Sequence, residues 1–340
     1  MIGVTSGSIP LAQGAWHSAP PTDLMSWFQR LLIVTLLATF VLVVVGGTVR
    51  ATDSGLGCPD WPTCHGKFVP KMEKHTLIEF SHRTIASVVG VLFLAVTYFA
   101  FKTERKRPLI FWLSFTAGLL LLWQIILGGI TVVNELPAEV TAAHLATAMA
   151  FMGLMLVILI ISTMRDRGFS AFAVAGDSAF NRLAIVTACT AYVTLVLGSY
   201  ISGTDASLAC GGWPLCNGSV FPGGDSDVGL HFMHRLIAGM LGVELLGLIY
   251  LAFDERRRQP LLIALALAAG VAYVAQALIG AANIWTELAA GVVVAHLSLA
   301  AVLWCLLVAI SALAFYLPGG EVEQAGREGA SRRKEAGWAR

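Results

Sequence analysis

Residues 78–83 read Ile78-Glu79-Phe80-Ser81-His82-Arg83, and they open a long apolar run. Glu79 and His82 are three residues apart, so in a helix both side chains lie on one face near its mouth. A closely related stretch, His231-Phe232-Met233-His234-Arg235, opens a second apolar run 152 residues later. The same offset relates Cys58 to Cys210, Trp61 to Trp213, Cys64 to Cys216, Gln124 to Gln276, Gly128 to Gly280 and His144 to His296, without a gap. An offset held over so much of the chain indicates an internal duplication.

The composition sets the environment. The chain has 340 residues, of which 57% are hydrophobic and 13% charged, and the mean hydropathy is +0.76. Soluble domains carry roughly 25% charged residues, so the sequence predicts an integral membrane protein. Nothing in it points to a nucleic-acid partner. Apolar runs long enough to cross a bilayer, about 20 residues each, fall near 26–48, 80–101, 109–133, 140–163, 182–203, 231–252, 261–283 and 291–315. The expected fold is all-α: eight transmembrane helices forming two tandem four-helix bundles related by a pseudo-two-fold axis along the membrane normal. The expected divisions are an N-terminal tail 1–25, a first unit 26–163, a linker 164–181, a second unit 182–315 and a C-terminal tail 316–340.

Basic residues orient the helices. Sixteen Lys and Arg fall on the side that includes Arg30, the 102–107, 165–182 and 256–258 segments and the C-terminal tail, against six on the other. Both termini are therefore expected in the cytoplasm, and the long loops 49–79 and 204–230 outside. The N-terminal 25 residues lack the apolar core of a secretory signal.

Four histidines, His82, His144, His234 and His296, sit inside these spans, each a few residues below the expected outer end of an even-numbered helix. A residue five positions in lies roughly 7 Å below the surface. Intramembrane ionisable residues are rare and costly, and four at one depth in two equally spaced pairs suit two bis-histidine haems. Zinc fits less well, because each unit offers two histidines and lacks intramembrane cysteines beside them. Gly128, Gly129, Gly280, Ala281 and Ala282 leave room for a flat ligand or for close helix packing. Arg83 and Arg235, directly after ligand candidates, are candidates for haem propionates or for snorkelling at the interface. His17, His65 and His75 are expected in tail or loop, with solvated roles.

The halves differ at one informative position: Glu79 in the first is His231 in the second. A carboxylate one turn above a haem ligand can accept protons or stabilise a developing cation, which makes Glu79 the catalytic candidate. Glu135, Glu139 and Glu287 have supporting roles at most. The segments Cys58-Pro-Asp-Trp-Pro-Thr-Cys64 and Cys210-Gly-Gly-Trp-Pro-Leu-Cys216 share the form C-x-x-W-P-x-C in outward loops, where disulfides persist. The pairs Cys58–Cys64 and Cys210–Cys216 are read as structural bridges or, for the first, as a redox-active pair. Cys189 and Cys305 are read as buried small residues.

Residues 26–315 resemble the haem A synthases, in their cysteine-containing bacterial type. The likeness rests on E-F-S-H-R at 79–83, H-L-A-T-A at 144–148, H-F-M-H-R at 231–235, H-L-S-L-A at 296–300 and the duplicated Trp-Pro loops. The resemblance implies an oxidoreductase of the bacterial inner membrane that converts the C8 methyl group of haem O to the formyl group of haem A. His82 and His144 would then hold the substrate, haem O, and His234 and His296 a haem B cofactor, with Glu79 assisting the reaction. Implied partners are the farnesyltransferase that makes haem O, the haem-copper oxidases that receive haem A, and a quinone or other electron acceptor; a homo-oligomer is compatible with the sequence. Two other functions use some of the same residues: a di-haem b-type membrane electron carrier linked to quinol, and a quinone-linked thiol oxidase.

Overall fold

The computed structural model describes residues 25–168, 178–204 and 206–317. Among the described residues eight α-helices make up the fold: α1 (Trp27–Ala51), α2 (Lys74–Thr103), α3 (Pro108–Val133), α4 (Ala138–Asp166), α5 (Ala179–Gly203), α6 (Ser226–Asp254), α7 (Pro260–Trp285) and α8 (Ala290–Ala314). All eight are long and apolar enough to cross a membrane. The protein is an all-α membrane protein, as composition required.

Local chemistry starts the helices where it does. Ser26 and Gln29 form a reciprocal cap on α1: the Gln29 backbone N–H donates to Ser26 Oγ at 3.2 Å and the Ser26 N–H to Gln29 Oε1 at 3.0 Å. Pro108 and Pro260 open α3 and α7, where the missing N–H costs nothing. Two starts differ from the hydropathy reading: α2 begins at Lys74 instead of near 80, and α6 at Ser226 instead of near 231. The added turns are polar, so hydropathy does not register them. Loop contacts hold them: His75 Nδ1 lies 3.0 Å from Ser54 Oγ, Thr76 Oγ1 donates to the Gly57 carbonyl at 2.9 Å, and the Asp225 carboxylate caps α6. His75 therefore belongs to the first turn of α2 and not to a loop; His17 lies outside the described residues, as do most of both tails and part of the 164–181 linker.

α1 packs on α2 and α4, and α3 on α4 and α2; the same pairings recur as α5 with α6 and α8, and α7 with α8 and α6. The two sets meet through α4–α5, α1–α8 and α4–α8. Burial repeats with the sequence offset. Phe28 and Phe180 are both buried, while Leu94 and Leu246 are each 70% exposed on faces that suit lipid. Small residues line the helix contacts; Ala117, Ala184, Ala266, Ala269 and Ala301 are fully buried, which lets helices approach closely where apolar lipid offers little reason to associate. Among the described residues, hydrogen bonds cross between the sets at three places: Tyr192 Oη donates to the Ala146 carbonyl at 2.8 Å, Trp304 Nε1 to the Met149 carbonyl at 2.9 Å, and Arg50 Nη2 to the Ser202 carbonyl.

Candidate functional site

The four intramembrane histidines take matched places. His82 and His234 each stand eight residues after the first residue of α2 and α6, and His144 and His296 six after the first of α4 and α8. At about 1.5 Å per residue these are depths of roughly 12 and 9 Å below the helix starts, deeper than the sequence suggested because the helices begin earlier. His82 and His144 are within electrostatic reach of each other, and so are His234 and His296. The structure thus brings together the pairs that the spacing predicted. Among the described residues no three of His, Cys, Asp and Glu cluster as a metal site would.

Each histidine faces a glycine on the neighbouring helix. A Cβ on Gly46 would lie 3.2 Å from His82 Nε2, one on Gly128 3.2 Å from His144 Cε1, one on Gly198 3.0 Å from His234 Cε1, and one on Gly280 3.1 Å from His296 Cε1. Any side chain there would press on the imidazole. Sequence reading singled out Gly128 and Gly280 but missed Gly46 and Gly198, although these two also differ by 152; only the α1–α2 and α5–α6 contacts show what they face. Gly129 has a different part, since a Cβ there would meet the ring of Trp61 at 3.2 Å. Ala281 is buried.

The nitrogens are incompletely satisfied. Gln124 Nε2 is 3.2 Å from His144 Nε2 and Gln276 Nε2 is 3.4 Å from His296 Nε2. Nδ1 of His144, His234 and His296, with Oε1 of both glutamines, is buried without a partner. Buried polar atoms are nearly always paired, so orphan nitrogens gathered at paired imidazoles that pack against glycine fit a ligand that brings its own acceptor for nitrogen lone pairs. Haem iron is such an acceptor.

Glu79 is 5% exposed and lies one turn from His82 on α2; His231, at the equivalent place on α6, is 8% exposed. Glu79 Oε1 accepts from Arg83 Nε at 2.9 Å. Arg83 Nη1 donates to the carbonyls of Asp60 and Thr63 at 2.7 and 2.8 Å, and Nη2 to that of Cys58 at 2.8 Å. Four of its five N–H donors are thus engaged inside the protein. Arg235 reaches the other loop in the same way, donating to the carbonyls of Gly212 at 2.6 Å, Leu215 at 3.2 Å and Cys210 at 2.9 Å. His231 Nδ1 accepts from the Cys210 N–H at 3.4 Å.

Both cysteine pairs are disulfides, Cys58–Cys64 and Cys210–Cys216, with Cα atoms 4.6 Å apart in each. The first loop is built on Asp60, whose carboxylate accepts from the Thr63 hydroxyl and the backbone N–H groups of His65 and Gly66. The Thr63 hydroxyl first, and then the Gly66 N–H, hold that carboxyl down to about 2. His65, like Asn217 in the second loop, takes a left-handed backbone, φ 53° and 52°. Cys189 corrects the reading from sequence: it is exposed on α5, and Cys305 is half-buried. Apolar character alone does not tell a lipid-facing position from a core one.

The family model described as cytochrome oxidase assembly protein, COX15-CtaA, matches residues 29–308. A protein of Exiguobacterium sp. named "Heme A synthase" is 31% identical over 224 residues, covering 65% of this chain and 72% of its own length. Another of that name from Symbiobacterium thermophilum is 30% identical over 277 residues, 76% of this chain and 89% of its own. A third, from Alkalihalophilus pseudofirmus, is 28% identical over 275 residues, 80% and 92% respectively.

Proposed function

The chain belongs to the COX15-CtaA family of cytochrome oxidase assembly proteins, and on that premise we propose that it makes haem A from haem O in the bacterial inner membrane. The transformation takes the C8 methyl group of the farnesylated porphyrin to a formyl group. That change adds one oxygen and withdraws four electrons in all, which require an acceptor such as a quinone. The farnesyltransferase that makes haem O and the oxidases that use haem A are the proposed neighbours in this chemistry.

In this reading α1 to α4 hold the substrate haem O between His82 and His144, with Gly46 and Gly128 giving the two imidazoles their clearance. α5 to α8 hold haem B between His234 and His296, with Gly198 and Gly280 opposite. Haem B, when bound, supplies one-electron redox chemistry. The two units are related by a pseudo-two-fold axis, supported by helix pairings and burial that repeat at the sequence offset. The charge bias of the loops supports cytoplasmic termini and outward disulfide loops. Arg83 and Arg235 serve chiefly as clamps on those loops, and the donor that Arg83 has to spare is the proposed contact to a propionate.

The observation that carries the proposal is the difference between two otherwise matched sites. Glu79, buried beside His82, has no acidic counterpart beside His234, where His231 stands. A carboxylate held in low dielectric near the reacting edge can take up a proton or face a developing positive charge, and its effect there exceeds that in water. An electron carrier has no use for such a group on one haem alone. A thiol oxidase leaves the four histidines without a task.

The test is pigment extraction from protein produced with and without the farnesyltransferase. The expected result is haem B in both cases, and haem O with haem A only when the farnesyltransferase is present. Glu79→Gln is expected to retain both haems and lose haem A. Haem B alone under every condition would establish the carrier instead.

A further inference from the structure

Glu79 is tied to the first outer loop by a single side chain. Arg83 donates from Nε to the Glu79 carboxylate and from both Nη atoms to the carbonyls of Cys58, Asp60 and Thr63. Those carbonyls belong to the segment closed by the Cys58–Cys64 disulfide. The guanidinium is planar and its donors are fixed in a fork, so its orientation is set by whatever it grips. Three carbonyls from one small ring fix the Nη end. The Nε end, on the same plane, then has one direction left in which to meet a carboxylate. The bond to Glu79 is charge-assisted, of the stronger kind, and both side chains are mostly buried.

The second unit supplies an internal control. Arg235 grips the carbonyls of Cys210, Gly212 and Leu215 across an equivalent disulfide. At the place of Glu79 stands His231, which accepts from the backbone N–H of Cys210. Fastening a loop is therefore common to both arginines; passing the loop's geometry to a carboxylate belongs to Arg83 alone. Asp60 reinforces the first ring from within, through Thr63, His65 and Gly66, while the matching residue in the second loop is Gly212. The half with the catalytic candidate has the more heavily braced loop.

We propose that Arg83 is a positioning residue that orients the Glu79 carboxylate toward the substrate haem, and that the Cys58–Cys64 disulfide acts on the reaction by holding Arg83 in place, its sulfurs taking no part in electron transfer. The proposal rests on the haem A synthase reading for its effect on turnover, but the physical link from disulfide to carboxylate stands apart from it.

Two measurements on the full-length protein test it. The first is infrared spectroscopy of the carboxylate stretch that disappears in Glu79→Gln. Opening the first disulfide with C58S/C64S is expected to shift that band, as is Arg83→Gln. Combining the two is expected to shift it no further, and C210S/C216S to leave it in place. A band indifferent to C58S/C64S, or one that moves equally with C210S/C216S, overturns the link whether or not the protein makes haem A. The second is turnover. Arg83→Gln is expected to lower haem A formation at least tenfold with both haems retained, and Arg83→Lys to recover part of it, since an ammonium can pair with Glu79 but cannot span three carbonyls. In a Glu79→Asp background, whose carboxylate is too short to reach Arg83, Arg83→Gln is expected to cost no more than about twofold. An equal loss in both backgrounds would show that Arg83 does not act through Glu79.

Discussion

Gln124 and His144 meet across α3 and α4 with Nε2 of each 3.2 Å apart, and Gln276 repeats the contact with His296 at 3.4 Å. Nδ1 is buried without a partner in both rings. The contact therefore holds a ring in place without satisfying it, at a desolvation cost of about 1–3 kcal/mol for each orphan.

If the amides orient the rings and do not bind haem themselves, replacing them changes geometry and not occupancy. Gln276→Leu is expected to retain haem B at full stoichiometry and to shift the low-spin electron paramagnetic resonance signal, which reports ring orientation. His296→Leu is expected to lose the haem. Loss of haem in Gln276→Leu would assign the amide a binding role.

The glycines opposite the histidines are expected to act site by site. A methyl group on Gly198 would crowd His234 Cε1 at 3.0 Å, and one on Gly46 would crowd His82 Nε2 at 3.2 Å. Overpacking of this kind costs about 1–3 kcal/mol. Gly198→Ala should therefore reduce haem B content and leave haem O binding close to normal, and Gly46→Ala should do the reverse. Extraction and chromatography of the bound haems check both, and an equal effect of each variant on both haems would break the two-site assignment.

Asp60 gives the first loop a defined acid response. Its folded value is depressed from 3.8 to about 2, first by the Thr63 hydroxyl. A depressed carboxyl stabilises the folded loop above its unfolded value and loses that contribution as pH falls through the folded one. Pepsin cleavage in the first loop, normalised to the second, is expected to rise as pH falls from about 4 towards 2. In Asp60→Asn it should be high throughout that range. Identical profiles for the two proteins would show that the charge does not brace the loop.

The hydrogen bonds that cross between the two helix sets should be additive and small. Tyr192→Phe and Trp304→Phe each remove one bond to α4, and bonds between membrane helices are worth about 0.6 kcal/mol on average. Unfolding in mixed detergent is expected to show losses near 1 kcal/mol each, with Trp304→Phe the larger because its ring also fills the space beside Gly153.

Particular residues show how far the chain could be read in advance. The eight spans were legible because a bilayer demands about 20 apolar residues in a row, and that demand is met locally. The early starts of α2 and α6 were hidden because Lys74 to Thr76 are polar and are held by Ser54 and Gly57, residues distant in sequence. The exposure of Cys189 has no signature in the sequence, because an apolar helix carries no mark of which side meets lipid; the neighbours of α5 decide it. The histidine pairs could be read from an offset of 152, whereas Gly46 and Gly198 passed unnoticed, since a glycine matters only for what stands opposite.

By itself the sequence determined that this chain is a membrane protein of eight apolar spans, that an offset of 152 relates its halves, that four histidines lie within those spans, and that Glu79 stands where the second half has His231. These are properties of spacing and composition, and linear order is enough to express them. Only the tertiary structure decided that Arg83 spends its donors on Glu79 and three loop carbonyls. Hydrogen bonds form between groups that are about 3 Å apart in space, and Cys58 and Arg83 reach that distance only when a loop and a helix 25 residues apart fold onto one another.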